Sequence, residues 1–304
     1  MASETLVEYT CPISTAARKI VGVEAVEAHN YKDEAVPGSS AQNARKQPAI
    51  MDGETRDNLS FSPQHRLKQD SSSRQTRRTM LLPASGVTTD FDELRFEAAA
   101  ARQLRFRTPE GTEPLYSSPE PNTELLISSP YNHPHHLLDL TTLNKQNRLL
   151  ALALAALKPV RLDYATADYL QAFNWTEVLR LLRLFAQNEG TEWREQRFYT
   201  VVFRSKLNAN IDEERLGELD QHSHREATQS GGLLKYWFGK AGPVRRENLA
   251  TCIWRSREDA VRGGAGPWHA LAMGAKVEMY ESIGLKRCFL VVGDGARDVR
   301  MEEV

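Results

Sequence analysis

The sequence predicts an α+β fold, because four strand-like runs alternate with two helical segments in its last third. The runs are rich in β-branched and aromatic residues, which favour strands. Their order is strand, helix, strand, strand, helix, strand, which is the split βαβ (ferredoxin-like) unit: an antiparallel sheet with two helices on one face. The predicted strands are 198–204, 233–239, 249–255 and 286–292, and the predicted helices are 212–227 and 257–282.

The two helical segments differ in their continuity. The first carries apolar residues on one side and ends before Gly231-Gly232. The second contains Gly263-Gly264 and Gly266-Pro267. Because glycine and proline weaken helix interiors, we expect a break there.

The N-terminal third differs in composition from the rest of the chain. The segment 37–78 consists largely of Ser, Gln, Asn, Arg and Lys, with few large apolar residues. Such a segment cannot bury enough surface to offset its ordering entropy. We therefore predict that residues 1–90 are largely disordered and that residues 91–304 form a single α+β domain. Within this domain, residues 196–304 form the βαββαβ unit, and residues 91–195 add helices and strands to it.

Local signals divide the 91–195 segment into elements. Asp90 is a helix-capping residue, Pro159 disfavours helix at the residue before it, and residues 178–185 show an amphipathic helical pattern. The predicted elements are a helix over 90–104, a strand over 124–128, a helix over 144–157, a strand over 160–164 and a helix over 175–187.

Charge and hydropathy exclude several classes of partner. The 304 residues carry a formal net charge of −1, so no whole-protein field attracts nucleic acid. The longest apolar run, 149–157, is about half of the roughly 20 residues that a membrane span needs. Residues 1–9 contain two glutamates and no apolar core, unlike a secretory signal. We expect a cytoplasmic protein with neither a nucleic-acid partner nor a membrane span.

The sequence shows no motif for a metal or an organic cofactor. Cys11, Cys252 and Cys288 are not spaced as metal ligands, and so few cysteines are typical of a reducing compartment. The cluster His133-Pro-His135-His136 lacks helical spacing and is interpreted as a polar loop. A glycine-rich phosphate loop, a GxSxG elbow and a dinucleotide fingerprint are missing from the sequence. We therefore predict no cofactor and no metal.

Strand alternation assigns the aromatic residues to two faces of the sheet. Tyr236 and Phe238 share one face and Trp237 lies on the other, while Cys252 and Trp254 share a face. Some of these side chains are core, and others are predicted to line an apolar cavity between sheet and helices. The candidate catalytic residues are Tyr236, Trp254, His269 and Arg255, and the candidate substrate-binding residues are Tyr164, Tyr169, Phe203, Phe238, Trp268 and His222.

Three sequence blocks resemble a family of fungal proteins of long-uncharacterised function. The blocks are DYATADY at 163–169, GLLKYWFG at 232–239 and NLATCIWRSR at 248–257, and the resemblance covers about residues 123–304. The C-terminal half is similar to the dimeric α/β-barrel superfamily, which implies a homodimer. Within the family, the chain resembles the pericyclases of fungal secondary metabolism. This resemblance implies an intramolecular Diels–Alder cyclisation, of the kind that builds the norbornene core of sordarin-type diterpenoids.

Three functional hypotheses follow. The first is a cofactor-independent [4+2] cyclase for a hydrophobic polyene. The cavity would hold the reacting ends together, and a Tyr, Trp, His or Arg side chain would donate a hydrogen bond to a conjugated carbonyl. The second is a non-catalytic module that binds a metabolite or self-associates. The third is an α/β-barrel monooxygenase, cofactor-free or haem-linked, with His222, His224 or His269 as candidate haem ligands.

Overall fold

The computed structural model describes residues 79–106 and 124–304, which belong to one compact unit, and its first strands form two short antiparallel ladders. Strand β1 (Thr79–Leu81) pairs with β2 (Leu104–Phe106), and β3 (Leu125–Leu126) pairs with β4 (Leu138–Asp139). The region predicted to be largely disordered is described only over residues 79–90, which contain β1 and a short 3-10 turn. Its remainder, with Cys11, lies outside the described residues.

Helix α1 (Phe91–Phe96) begins where the sequence predicts but ends early. The Asp90 carboxylate accepts hydrogen bonds from the amides of Asp92 and Glu93, which fixes the start of the helix. Ala98 has a φ of 52°, a left-handed conformation that a helix cannot contain. The prediction of one helix over 90–104 is therefore wrong beyond Phe96.

Three further helices precede the large sheet. Asn144 caps α2 (Lys145–Leu154) through the amide of Asn147, 2.9 Å away, and Asp168 caps α3 (Tyr169–Ala172). Helix α4 (Trp175–Asn188) follows the predicted amphipathic segment. The predicted strand over 160–164 is wrong, because the chain turns there and makes one isolated bridge, Pro159 to Phe173.

The C-terminal part forms a five-stranded antiparallel sheet with helices between its strands. The strands are β5 (Gln196–Leu207), β6 (Leu233–Phe238), β7 (Glu247–Trp254), β8 (Tyr280–Val292) and β9 (Val299–Glu303), and the helices are α5 (Glu213–Ser230), α6 (Arg257–Gly263), α7 (Pro267–Gly274) and α8 (Lys276–Met279). The order β6-β7-β5-β8 confirms the predicted split βαβ unit, to which β9 adds an edge strand. The second helical segment breaks between Gly263 and Pro267, as predicted.

The same chain covers both faces of this sheet. On the first face, residues of β5, β7 and β8 pack with α2 and α4 in the main hydrophobic core. On the second face, residues of β5, β6 and β7 pack beneath α5 and α6. The predicted alternation is confirmed, with Trp237 in the first-face core and Tyr236 on the second face. The first-face residues include Phe198, Val202, Leu249, Ile253, Cys288 and Leu290, and the second-face residues include Tyr199, Val201, Tyr236, Phe238, Cys252, Trp254 and Phe289.

Lys235 is an unusual member of the buried side of β6. It lies opposite Ile253 in the register, and 2% of its surface is exposed. Burial lowers the pKa of its ammonium group to about 7, because a low-dielectric surrounding disfavours the charged form. Within the described residues, no carboxylate forms an ion pair with it.

Replacing Lys235 with methionine is expected to stabilise the protein at neutral pH. Between about pH 7 and the ordinary pKa of 10.5, the unfolded chain holds a proton that the folded chain releases, so wild-type stability rises with pH. At about pH 7, Lys235→Met should raise the free energy of unfolding by roughly 2–4 kcal/mol, and the gain should shrink towards about pH 10.5. Urea denaturation across this range measures it. Lys286→Met, at an exposed position of β8, is the control and should show no such trend.

Candidate functional site

Helix α5 places one polar stripe against the second face of the sheet. Asp212 caps the helix through the amide of Arg215 at 2.9 Å, and Gly231, with a φ of 81°, ends it. Residues three or four apart share one side of a helix. The buried side contains Leu219, Asp220, Ser223, His224 and Ala227, so a carboxylate, a hydroxyl and an imidazole face the sheet together with apolar groups.

The Asp220 carboxylate binds two tyrosine hydroxyl groups. Tyr131 donates to Oδ2 of Asp220 at 2.5 Å, and Tyr236 donates to Oδ1. Burial raises the pKa of Asp220, and the two hydroxyl donors offset only part of this effect. The pKa values of both tyrosines also lie well above their ordinary value, because of burial and the adjacent carboxylate. All three pKa values are thus shifted in the direction of the protonated form.

Aromatic rings surround this triad. Phe238 lies 5.6 Å from Tyr236 and 5.9 Å from Tyr131 between ring centroids, and Phe91 meets Tyr131 edge-on at 5.3 Å. The guanidinium of Arg95 lies 5.0 Å from the Phe238 ring centroid. Parts of this face remain accessible to solvent, since Val201, Phe203, Phe238, Ala250, Cys252 and Phe289 are only half-buried.

A pair of imidazoles adjoins the triad. Nδ1 of His136 lies 2.8 Å from Nδ1 of His224, and both rings are buried. The His136 ring stacks on Tyr131 at 4.7 Å, and the His224 ring lies 5.1 Å from Tyr236. The interpretation of His133–His136 as a polar loop is therefore wrong for His136, which packs into the site.

His222, Trp268 and His269 gather on another side of α5. The His222 ring stacks on Trp268 with centroids 4.0 Å apart, which confirms that His222 and His224 point in different directions. Glu226 accepts hydrogen bonds from the backbone amides of Trp268 and His269, at 2.9 and 3.2 Å. The same carboxylate lies 3.1 Å from Nδ1 of His269. These contacts hold the start of α7 against α5.

The other candidate residues have structural contacts. Phe203 is on the half-buried second face. Trp254 is 3% exposed and lies against Gly263 of α6, where a Cβ would meet its ring at 2.1 Å. Arg255 makes a two-pronged ion pair with Asp259 through contacts of 2.8 Å. We assign Trp254 to the core and Arg255 to the turn before α6.

The two tyrosines predicted to bind substrate lie on the first face of the sheet. Tyr169 shares a hydrogen bond of 3.0 Å with Thr251, and Tyr164 donates to the carbonyl of Lys240 at 2.6 Å. Both belong to the main core, on the other side of the sheet from Tyr236. We therefore assign them to packing.

Sequence reasoning missed Asp220 and Tyr131 altogether. A signal for Asp220 was present, because it interrupts the sheet-facing stripe of α5 between Leu219 and His224. A lone carboxylate on such a stripe needs a partner. Tyr131 gave no comparable signal, since it approaches Asp220 from 89 residues away in sequence.

A surface groove of about 270 Å³ lies elsewhere, between the loop 134–142 and the C-terminal end of α5. None of the candidate residues borders it. Within residues 79–106 and 124–304, no group of three or more His, Cys, Asp or Glu residues is placed to hold a metal ion. Among the helices of the same ranges, none is long and apolar enough to cross a bilayer.

Comparison with known proteins identifies the family. The model of the PB2B2.08-like family matches residues 127–303, more than half of the chain. The chain belongs to this family. The UPF0643 protein PB2B2.08 of Schizosaccharomyces pombe is 38% identical to this chain over 174 residues, which cover 53% of this chain and 79% of the relative. The resemblance to a fungal family is thus confirmed.

Two solved structures are also similar to part of this chain. PA3566 from Pseudomonas aeruginosa is 10% identical, with a TM-score of 0.27, and the match covers 30% of this chain and 92% of the other. A putative antibiotic biosynthesis monooxygenase from Nitrosomonas europaea is 11% identical, with a TM-score of 0.26 and coverages of 32% and 90%. The ferredoxin-like assignment rests on the strand order of the sheet itself.

Asp220→Asn and Asp259→Asn are expected to change stability with opposite dependence on pH. In the folded chain the pKa of Asp220 lies above the ordinary value of 3.8. Between these two pKa values the folded chain holds a proton that the unfolded chain has lost, so the free energy of unfolding of the wild type falls as pH rises. Asparagine titrates no proton, so the stability of Asp220→Asn relative to wild type should increase as pH rises from about 4 towards the raised pKa of Asp220.

Asp259 is the matched control. Burial alone would raise its pKa, but hydrogen bonds from Arg255 and Ser256 and the charge of Arg262 lower it. Asp259→Asn should therefore cost about 1.5–3 kcal/mol at neutral pH, and the cost should diminish as pH falls through the pKa of the folded state. Urea denaturation measures the trends, from about pH 4 upwards for Asp220→Asn and from neutral pH down to below the ordinary pKa of 3.8 for Asp259→Asn. The same trend in both would contradict the proposed protonation of Asp220.

Proposed function

We propose that this protein is a cofactor-independent enzyme that cyclises a hydrophobic polyene by an intramolecular [4+2] reaction. The reaction would be of the kind that builds the norbornene core of sordarin-type diterpenoids, in fungal secondary metabolism and in the cytoplasm. The observation that supports it best is the pair of hydroxyls, Tyr131 and Tyr236, that one carboxylate holds over an apolar and partly accessible sheet face.

The apolar face would hold the polyene in a folded shape. Phe203, Phe238 and Phe289 offer half-buried rings for this contact. Holding two reacting ends in a near-attack geometry contributes up to ~7–11 kcal/mol in the best intramolecular models. Since a cycloaddition needs no nucleophile, shape and one oriented donor suffice for this chemistry.

The triad would supply the donor. In its protonated form, which burial favours, Asp220 donates a hydrogen bond to the oxygen of one tyrosine. That tyrosine no longer donates to Asp220 and can donate to a conjugated carbonyl of the substrate. The hydrogen bond withdraws electrons from the dienophile, and a donor fixed in a dry site needs no reorganisation during the reaction. We assign the donation to Tyr236, because it lies on the sheet beside Phe238.

The two rival hypotheses receive less support. The three candidate haem ligands are packed against other side chains: His224 is buried beside His136, His222 stacks on Trp268, and His269 contacts Glu226. A haem is far larger than a single polar group and would have to displace these neighbours. For self-association, the first face of the sheet is covered by α2 and α4 of the same chain. A homodimer formed through that face would have to displace them.

The cyclisation has a direct test. Purified protein is incubated with a linear diene–dienal and no cofactor, and product isomers are quantified by chromatography. We expect a faster reaction and a changed isomer ratio with the wild type. Tyr236→Phe removes one hydroxyl and should lower the rate about tenfold, which corresponds to ~1.4 kcal/mol.

Tyr164→Phe removes a hydroxyl on the first face and should leave the rate unchanged in folded protein. Equal rates and isomer ratios with and without wild-type protein would reject the proposed activity. Equal effects of the two substitutions would remove Tyr236 from the proposed site.

A further inference from the structure

The His136–His224 pair leaves a polar atom without a partner beside the triad. The His224 side chain is 4% exposed, and its Nδ1 contacts His136. Its other ring nitrogen, Nε2, is buried and has no hydrogen-bond partner among the described residues, and the same holds for the neighbouring Ser223 hydroxyl. Buried polar groups in native proteins are nearly always paired, so an unpaired one needs an explanation.

The contact between the two imidazoles restricts their protonation. A distance of 2.8 Å between two Nδ1 atoms requires one hydrogen between them, because two Nδ1–H groups would repel. Burial also lowers the pKa of both rings, that of His136 to about 4. Both rings are therefore neutral, and the tautomer of one determines that of the other.

The unpaired nitrogen of His224 is an acceptor in the more favourable tautomer. If His136 donated, His224 would carry a buried N–H with no acceptor. If His224 donates through Nδ1, its Nε2 carries only a lone pair. Buried unpaired N–H groups are the rarer of the two in proteins. His224 thus donates to His136 and keeps an unused acceptor at Nε2.

This acceptor belongs to the same site as the triad. His224 follows Asp220 by one helical turn on the sheet-facing side of α5. The His224 ring lies 5.2 Å from that of Tyr131 and 5.1 Å from that of Tyr236. The His224 ring and the Tyr236 ring are therefore neighbours, and a small molecule bound at one would lie beside the other.

We propose that His224 Nε2 accepts a hydrogen bond from a hydroxyl group of the ligand, and that the substrate is a hydrophobic molecule bearing a hydroxyl as well as a conjugated carbonyl. His136 is a positioning residue, since it fixes the tautomer of His224. The inference rests on the proposed location of the functional site, but it does not require the cyclisation chemistry.

The binding test uses 2-naphthol and naphthalene, two probes that differ by one hydroxyl group. Dissociation constants are measured by fluorescence for wild type, His224→Phe and His222→Phe. In wild type, the affinity ratio of naphthol to naphthalene should exceed that in His224→Phe by roughly 3–10-fold, the effect of one net hydrogen bond. The affinity for naphthalene should be the same in wild type and in His224→Phe. His222→Phe, on the Trp268 side of α5, should keep the wild-type ratio.

An unchanged ratio in His224→Phe, or no binding of naphthol to the wild type, would overturn the assignment. Since turnover is not measured, this result is independent of the cyclisation assay. A hydroxyl preference without any cyclisation would reject the reaction and keep the binding site.

Nitrogen-15 spectra of histidine-labelled protein test the tautomer separately. The expected His224 signals are a protonated Nδ1 and an unprotonated Nε2, and the Nε2 signal should shift when naphthol is added but not when naphthalene is. His136→Phe should abolish the fixed tautomer in a folded chain, whereas a merely packing role for His136 would leave it in place. A protonated Nε2 in the wild type would overturn the proposal.

Discussion

Burial of the sheet on both faces is the constraint on which the rest of the structure depends. A split βαβ unit supplies helices for one face only, and the first face of this sheet is apolar, with Phe198, Ile253 and Leu290 all fully buried. Here α2 and α4 cover that face from within the same chain. The hydrophobic effect thereby buries the first face as core, whereas Phe203, Phe238 and Phe289 remain half-buried on the second face.

The second face is organised by the cost of burying polar groups. Asp220, His224 and Ser223 lie on the sheet-facing side of α5, where apolar residues would give a simpler interface. Two of these groups have partners: Asp220 binds Tyr131 and Tyr236, and His224 binds His136. These partners leave some polar atoms of the helix unsatisfied, since Nε2 of His224 and Oγ of Ser223 have no hydrogen-bond partner within residues 79–106 and 124–304. A partly satisfied polar network inside an aromatic cluster is a departure from good packing of the kind expected at a functional site.

Local sequence patterns predicted the sheet and its helices but only part of the site. Alternation placed Tyr236 and Phe238 opposite Trp237, and the glycines between α6 and α7 marked the break, because both signals act within a few residues. The triad depends instead on a contact between Tyr131 and Asp220 across 89 residues. The polar character of His136 suggested an exposed loop, but its pairing with His224, 88 residues away, allows it to be buried. Contacts between polar side chains that are distant in sequence leave no periodic pattern in a single sequence.

The segment that follows β3 passes from the first face of the sheet to the second and supplies the first residues of the site. The carbonyl of Ser128 accepts a hydrogen bond from the amide of Tyr236 at 3.0 Å, so this segment runs along the free edge of β6. Three residues later, Tyr131 reaches Asp220 on the second face, while Leu126 and Ile127 remain in the first-face core. The family match starts at residue 127, and it therefore includes the segment that brings Tyr131 and His136 to the βαββαβ unit. Because that unit alone would lack both side chains, the triad and the imidazole pair depend on the matched region as a whole.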